Sequence, residues 1–462
     1  MLKAILLKRG MRSDRFLSYP FLRFSFLRNF IVALDAYALL QSQYWPREDI
    51  KAIQLERIRD ILTHAKEKIP FWRDKFAAAK IDPQKISDWN EFLRLPITYK
   101  TDFKSKPVAY FTDQDLFAQE HITNTTSGST AEPLIFFQDR HYETRSLAIA
   151  RRILKIVSRS TLLPVIQVRA RDRRGFDNNE NLWFHTYNHN QLKYRINNLY
   201  QLAKNLKGPF VLYGFSSYLI EIARLCSERE IPLHPVAVIA TGEGLQPSQK
   251  EFIESHLKTE VFNCYTTTEL GWLAQDCEEH NLHINSEFAY VEIVDKDGMP
   301  LENGKQGRVI VTTFDNKIMP FIRYDTGDLG SLFTELCACG RTLPQLKIIG
   351  RQVDMIVLPD NRTVPSLDIL GVFEKRLEFI RQYQLIQKNV DEFFVKIVPE
   401  KETIGSDRLI AIANHLRRNL HPGIRVEFEI VKEIPSTASG KKIYFKSLIN
   451  AASPHHKDAP TS

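Results

Sequence analysis

The apolar positions change their spacing along the chain. Between residues 46 and 105, five aliphatic side chains approximate one face of a helix, with proline-marked breaks between segments. They are Ile50, Ile53, Ile58, Ile61 and Leu62. From residue 160 onward, short runs of branched residues alternate with helical stretches, at 162–168, 235–240, 260–265 and 308–313. This alternation predicts an α/β fold with β-sheets flanked by helices.

The pattern changes again after Gly350. A helix near 367–377, a strand at 392–398, a helix near 407–420 and a strand at 425–431 form a smaller α+β unit. We predict a large N-terminal domain at 1–349, with a helical extension at 1–45, and a small mobile lid domain at 350–450. The polar stretch 451–462 is predicted to be a flexible tail.

The composition is that of an ordinary soluble protein, with 43% hydrophobic and 26% charged residues among 462. The net charge of +8 favours anionic ligands only weakly, and no arginine-rich stripe with interleaved aromatics indicates nucleic-acid binding. Five cysteines cannot form a dense disulfide framework, which favours a cytoplasmic location.

The N-terminal region is basic and rich in aromatic residues, but it predicts no signal peptide and no membrane span. The apolar run 4–7 is too short for a signal core, and Arg23, Arg28 and Asp35 interrupt the stretch 16–40. A helix packed on the main body and a helix at an interface remain alternatives.

Hydroxyl-rich residues around a glycine form the first chemical motif. It contains Ser127, Gly128, Ser129 and Thr130, whose backbone N–H groups and hydroxyls could converge on phosphate oxygens. An ordinary turn is the alternative.

Two further motifs follow predicted strands. Tyr265, Thr268 and Glu269 come after the run 261–264, and Gly242 and Glu243 come after 236–240. Because ligands lie at the carboxyl ends of strands in α/β sheets, the aromatic ring suits a purine and the carboxylate suits Mg²⁺. Conventional strand-to-helix turns are the alternative.

The last two motifs combine charged residues with small ones. The segment 323–328 ends in Asp328 and is followed by Arg351 and Asp354; carboxylate and guanidinium suit ribose and phosphate, although a surface ion pair is the alternative. The segment 435–442 could deliver Lys441 on a mobile loop to the α-phosphate, with Lys442 as a substitute. A solvated basic turn is the alternative here.

The order and spacing of these motifs resemble the adenylate-forming superfamily of acyl-CoA synthetases, in particular the phenylacetate-CoA ligase branch with its CapK and coenzyme F390 synthetase-like proteins. The resemblance is collinear from about residue 45 to residue 446 and includes Leu95, Pro96 and Lys100. It implies an enzyme that uses ATP and Mg²⁺ to convert a carboxylic acid into an acyl-adenylate and pyrophosphate. Transfer to a thiol, of CoA or a carrier protein, would follow, and the family often takes aryl acids.

The resemblance also implies roles for individual residues. Residues 127–130 would hold the ATP phosphates, Tyr265 would stack near adenine, and Gly242 and Glu243 would line the nucleotide site. Thr268 and Glu269 would position the α-phosphate and Mg²⁺. Asp328 and Arg351 would hold the ribose, and Lys441 would be the lysine of adenylation.

Several positions depart from the family pattern. Ala131, Glu132 and Thr266 replace residues that are usually more flexible or variable, and Val353 lies near the hinge, where a charged residue is usual. An adenylyltransferase of the F390 synthetase type, and a non-catalytic relative in polysaccharide or natural-product biosynthesis, are therefore retained as alternatives.

Thiols and one imidazole form a candidate structural zinc site from Cys277, His283, Cys337 and Cys339, with nearby unliganded thiols as the alternative. Cys226 and Cys264 are predicted to be core residues. The acid pocket is not defined by the sequence. Its candidates, each of which could equally be core or turn residues, are Tyr213, Phe215, Ser216, Ser217 and His185.

Overall fold

The computed structural model describes residues 25–119, 121–126, 133–169, 184–188, 192–437 and 441–449. The predicted phosphate loop at 127–130 and the predicted tail at 451–462 lie outside these residues. The side chain of His185 also lies outside the description.

Helices dominate the first part of the described chain. They are α1 (Ser25–Ser42), α2 (Arg47–Lys68), α3 (Pro70–Ala78), and the short α4 (Trp89–Leu93) and α5 (Gln114–Phe117). Four of the five predicted face residues of α2 are buried, and Ile53 is partly exposed. Among the helices that the structure describes, none is long and apolar enough to cross a bilayer.

The following helices flank the central sheet or belong to the lid. They are α6 (Arg140–Ser158), α7 (Leu192–Asn205), α8 (Ser216–Glu228), α9 (Pro247–Leu257), α10 (Ser366–Glu374) and α11 (Ser406–Asn419). The cap of α6 is explicit, because the Asp139 carboxylate accepts a hydrogen bond from the Tyr142 backbone N–H.

A hairpin and an eleven-stranded mixed sheet form the body. The hairpin is β1 (Ile122–Thr125) and β2 (Ile135–Gln138). The sheet contains β3 (Val165–Arg169), β4 (Phe184–Asn188), β5 (Val211–Phe215), β6 (Ala237–Thr241), β7 (Val261–Thr267), β8 (Gly271–Asp276), β9 (Leu282–Ile284), β10 (Ala289–Val294), β11 (Gln306–Thr313), β12 (Tyr324–Phe333) and β13 (Gln345–Arg351). Its spatial order is β10-β11-β12-β13-β9-β8-β7-β6-β5-β3-β4.

The sheet changes character at β7. The strands from β4 across to β7 are parallel, and those from β7 to β10 are antiparallel. In β6, Ile239 packs into one apolar cluster while Val238 and Ala240 pack into the other. Apolar layers on both faces explain why this strand is a continuous branched and small apolar run in the sequence. The predicted α/β class with helix-flanked sheets is confirmed.

The small unit follows β13. It contains the hairpin β14 (Met355–Val357) and β15 (Thr363–Pro365), and a sheet of β16 (Ile380–Asn389), β17 (Glu392–Pro399), β18 (Arg425–Ile430) and β19 (Phe445–Ser447) in the order β18-β17-β16-β19. A third apolar cluster is formed by buried residues in the sequence range from Ile356 to Phe445, and it is separate from the two clusters of the body. The division at residues 349 and 350 stays a prediction.

Candidate active site

The carboxyl ends of β5, β6 and β7 lie side by side, since these strands are parallel neighbours. Ser217 follows β5, Glu243 follows β6 and Glu269 follows β7. Gly242 has a φ of +70°, and a Cβ there would lie 2.5 Å from a Phe215 ring carbon. Only glycine fits both this backbone conformation and this close approach.

Glu243 joins the large body to the lid loop. Its carboxylate accepts hydrogen bonds from the Ser217 backbone N–H at 2.9 Å and hydroxyl at 3.2 Å, and from the Lys442 backbone N–H at 3.0 Å. Burial raises the pKa of Glu243, while these hydrogen bonds and the Lys441 ammonium oppose the rise. The predicted contact of Glu243 with a nucleotide stays a prediction.

Lys441 extends from the lid into the cleft at the strand ends. Its ammonium lies 5.3 Å from the centre of the Phe215 ring. Burial lowers the pKa of Lys441, and the Arg351 charge lowers it further, whereas Glu243, Asp328 and Glu269 raise it. One lid cation therefore lies in the field of three body carboxylates.

Tyr265, Asp328 and Arg351 form a connected group. The Tyr265 hydroxyl donates to Asp328 Oδ2 at 2.6 Å, and Arg351 Nε lies 3.4 Å from Asp328 Oδ1. Burial raises the pKa of Asp328, and the Arg351 charge lowers it. Three residues from two sequence motifs thus share one contact network.

Glu269 lies beside the same network. The Tyr324 hydroxyl donates to Glu269 Oε1 at 3.3 Å, and the Gln138 side-chain amide donates to the Glu269 carbonyl at 3.4 Å. Burial raises the pKa of Glu269, while Lys100 and Arg351 lower it. Thr268 is exposed on the preceding turn.

The 127–130 segment connects the two strands of the β1–β2 hairpin. Asn124 Nδ2 donates to Gln138 Oε1 at 2.9 Å across the hairpin, and Gln138 also reaches the Glu269 carbonyl. The hairpin strands that flank the predicted phosphate loop therefore contact the backbone of Glu269, the residue predicted to hold Mg²⁺.

Most of the 323–328 segment is structural. Arg323 binds both oxygens of Glu292, at 2.8 and 3.0 Å, and Asp325 pairs with Arg308 at 2.9 Å. Of the charged residues in this segment, only Asp328 joins Tyr265 and Arg351.

Sequence reasoning assigned no roles to Lys100 and Tyr324, although both act on Glu269. Lys100 is among the charges that lower the Glu269 pKa, and its own pKa is lowered by burial. In the sequence, Lys100 belongs only to a family pattern. Its electrostatic effect on Glu269 is evident only from the folded structure.

The four predicted metal ligands converge. Their ligating atoms all lie within 4.8 Å of one another, with Cys277 Sγ 3.8 Å from Cys337 Sγ and Cys339 Sγ 3.4 Å from His283 Nε2. His283 Nδ1 lies 2.8 Å from the Leu343 carbonyl, so this nitrogen carries the proton and Nε2 presents a lone pair to the thiols. The donor set suits tetrahedral Zn²⁺. Cys226 and Cys264 are buried in the core, as predicted.

The fold is similar to that of solved adenylate-forming CoA ligases. The structure superposes on 2-hydroxyisobutyryl-CoA ligase in its postadenylation state with a TM-score of 0.74, at 20% identity over 88% of this chain and 93% of that one. The same ligase in its thioesterification state, with an acyl-adenylate and CoA, gives 0.60. The two domains here are thus arranged more like those of the postadenylation state.

Sequence comparison confirms the resemblance to phenylacetate-CoA ligases and CapK proteins. Residues 356–449 match the family described as the CapK C-terminal domain. The chain is 24% identical to phenylacetate-coenzyme A ligase of Thermus thermophilus, over 85% of this chain and 94% of that protein. It is 22% identical to protein CapK of Staphylococcus aureus, over 85% and 88% respectively.

Proposed function

We propose that this chain uses ATP to activate a carboxylic acid as an acyl-adenylate and then transfers the acyl group to a thiol such as that of CoA. The observation that carries the proposal is the position of Lys441 against the Phe215 ring, in the field of three carboxylates. Glu243 and Glu269 follow the parallel strands β6 and β7, and Asp328 lies on β12. A mobile cation within a carboxylate-lined cleft suits a reaction in which charge develops on a phosphate.

In the first half-reaction the acid's carboxylate attacks the α-phosphorus of ATP, and the bond to pyrophosphate breaks. The Lys441 ammonium would neutralise the charge that grows between them. Asp328 would accept hydrogen bonds from ribose hydroxyls, with Tyr265 fixing its orientation. Glu269 would hold Mg²⁺, which supplies further charge neutralisation on the phosphates when bound.

In the second half-reaction a thiol attacks the acyl carbon, and AMP leaves. Because the Lys442 backbone and Lys441 side chain fill the cleft, the lid must move before a thiol can enter by that side. CoA is the thiol expected from the ligase relatives, with a carrier protein as the second source.

The acid side chain would contact an aromatic pair beside the site. The rings of Tyr213, on β5, and Trp272, on β8, have centroids 5.7 Å apart, and both side chains are partly exposed. An aromatic wall of this kind favours an aryl or other apolar acid. Phenylacetate is therefore the first acid to screen.

Replacement of the lid lysine tests the proposal. Lys441→Ala should reduce carboxylate-dependent exchange of pyrophosphate into ATP by about a hundredfold or more, because one preorganised charge is lost from the transition state. Transfer from a supplied acyl-adenylate to CoA should change little. Lys442→Ala is the matched control, since its contact with Glu243 uses the backbone and survives the substitution.

Other outcomes would identify the alternatives. Exchange without CoA-dependent AMP release would favour an adenylyltransferase of the F390 synthetase type. No exchange with any acid in a broad screen would favour a non-catalytic relative and overturn the proposal. Equal loss of both half-reactions in Lys441→Ala would contradict the assigned role of this lysine.

We also infer that Cys277, His283, Cys337 and Cys339 hold a structural Zn²⁺, because four protein ligands leave no position for substrate. Cys339→Ser should lose bound zinc, measured by elemental analysis, and lower the unfolding temperature by several degrees. Cys226→Ser, at a buried thiol outside the cluster, should retain the zinc. Equal metal content in both variants would exclude the site.

A further inference from the structure

Helix α1 has its charged residues on the inside. Arg28 NH1 lies 3.4 Å from Glu143 Oε2, and Asp35 Oδ2 lies 3.2 Å from Arg145 NH1. Both partners belong to α6, and all four side chains are buried. The inner face of α1 is thus fixed to the large domain by ion pairs and by apolar residues such as Val32 and Leu39.

The outer face of the same helix is apolar. Three large side chains point to solvent: Phe30 is 55% exposed, Leu34 is 50% exposed and Tyr37 is 49% exposed. Within residues 27–42, the remaining exposed positions are Ala33 and Gln41. These positions follow the spacing of a single helical stripe, and the stripe carries no charge.

This distribution of charged side chains inside and apolar side chains outside is the reverse of that expected for a helix on the surface of a soluble protein. Single exposed apolar residues are common and need no explanation, but a contiguous stripe on one helix indicates a surface that is covered in use. The packing of α1 on α6 confirms the prediction of a packed helix for its inner face, and leaves the outer face available.

The sequence directly before α1 indicates what covers it. Residues 1–24 contain six Lys or Arg and one acidic residue, a net charge of +5, whereas the whole chain has +8. Bulky apolar residues alternate with the cations in 3–12, and 16–24 is mostly aromatic and aliphatic. Cationic side chains beside exposed aromatic and aliphatic ones are typical of segments that lie in the headgroup region of an anionic bilayer.

We propose that the outer face of α1 binds the surface of a membrane that contains anionic lipids. The apolar stripe enters the boundary between headgroups and acyl chains, and the net positive charge of the preceding sequence favours an anionic surface. A nucleic acid would use the cations but not the stripe. An apolar protein partner would use the stripe and leave the excess charge of 1–24 without a counterpart.

Co-sedimentation of the full chain with vesicles tests the proposal. Binding should be strong to phosphatidylcholine–phosphatidylglycerol vesicles, weak to phosphatidylcholine alone, and reduced by added salt. The triple variant Phe30→Gln, Leu34→Gln, Tyr37→Gln should bind at least about tenfold more weakly. These side chains are half exposed, so the variant should fold, which an unchanged thermal melt would establish.

A second triple variant is the matched control. Val236→Gln, Met299→Gln and Leu336→Gln replace exposed apolar residues outside α1, and binding should be unaffected. Equal binding by both triple variants, or no preference for anionic vesicles, would overturn the proposal. If the α1 variant instead converts a dimer to a monomer in light scattering while vesicle binding persists, the stripe contacts a second copy of the chain, and the membrane proposal fails.

Discussion

Asp354 shows how the environment of one residue sets its response to pH. Burial raises the pKa of this carboxyl to about 6 from an ordinary 3.8, and the Asp328 charge adds to the rise while Arg351 opposes it. Between these two values the folded chain retains a proton that the unfolded chain loses. Stability contributed at this position is therefore present at low pH and declines as the pH rises through about 6.

Asp354→Asn should remove that decline. The change in the free energy of unfolding from pH 4 to pH 7 should be more favourable in the variant than in the parent chain by about 1–2 kcal/mol. This figure allows for the partial exposure of the side chain. Urea unfolding at a series of pH values measures the difference. Asp297→Asn, at an exposed position, should leave the pH profile unchanged, and parallel profiles for Asp354→Asn and the parent would contradict the assignment.

At the scale of single residues, the sequence predicted the site best where a residue follows a strand. Glu243 and Glu269 each lie within a few residues after an apolar run, which allowed their convergence to be predicted. Arg323 and Asp325 looked equally suited to a ligand. Their actual partners are Glu292 and Arg308, which lie on neighbouring antiparallel strands that the sequence pattern did not pair.

Helix α8 connects the active site to the lid. Its first turn supplies Ser217, which binds Glu243, and its later turns contact the small domain. Glu221 Oε1 lies 2.6 Å from Arg381 NH2 on β16, and Arg224 donates to the Leu377 carbonyl at 3.2 Å and pairs with Glu400. These contacts stabilise the lid in the orientation that places Lys441 in the cleft.

Arg381→Ala should therefore weaken that orientation. Pyrophosphate exchange should fall about fivefold, which corresponds to one partly buried ion pair of about 1 kcal/mol, while transfer from a supplied acyl-adenylate should be maintained. Lys388→Ala removes two ion pairs, with Glu392 and Glu427, that lie within the lid sheet alone, and it should spare both half-reactions. A fall in acyl transfer equal to the fall in exchange would show that Arg381 supports the fold instead.

The sequence predicts the existence of the strands better than it predicts where each strand ends or which strand it pairs with. The run 260–265 corresponds to β7, but the strand continues to Thr267 because Thr266 and Thr267 pair with β8. Hydrophobic runs identify a buried strand, whereas pairing with a later strand extends it with polar residues that no apolar pattern indicates. The helix predicted near 407–420 corresponds closely to α11, because an apolar face that repeats over nearly four turns is a strong helix signal in the sequence.

At the scale of the whole molecule, the orientation of the lid could not be predicted from the sequence. Motif order predicted a large unit and a small one, but not which of two faces the small one presents. Contacts between segments distant in sequence, such as that from the Lys442 backbone N–H to the Glu243 carboxylate, fix this orientation, and no local pattern in the sequence indicates them. The higher TM-score with the postadenylation structure, 0.74 against 0.60, reports the same arrangement.

The contacts of α8 also govern how the chain could be divided. Glu221 and Glu243 lie on the large domain, and their cationic or N–H partners, Arg381 and Lys442, lie on the small one. A cut near Gly350 would leave the carboxylates of Glu221 and Glu243 on one fragment and their partners on the other. The ion pairs and hydrogen bonds across the interface would hold the two fragments together in dilute buffer, and added salt would weaken the ion pairs.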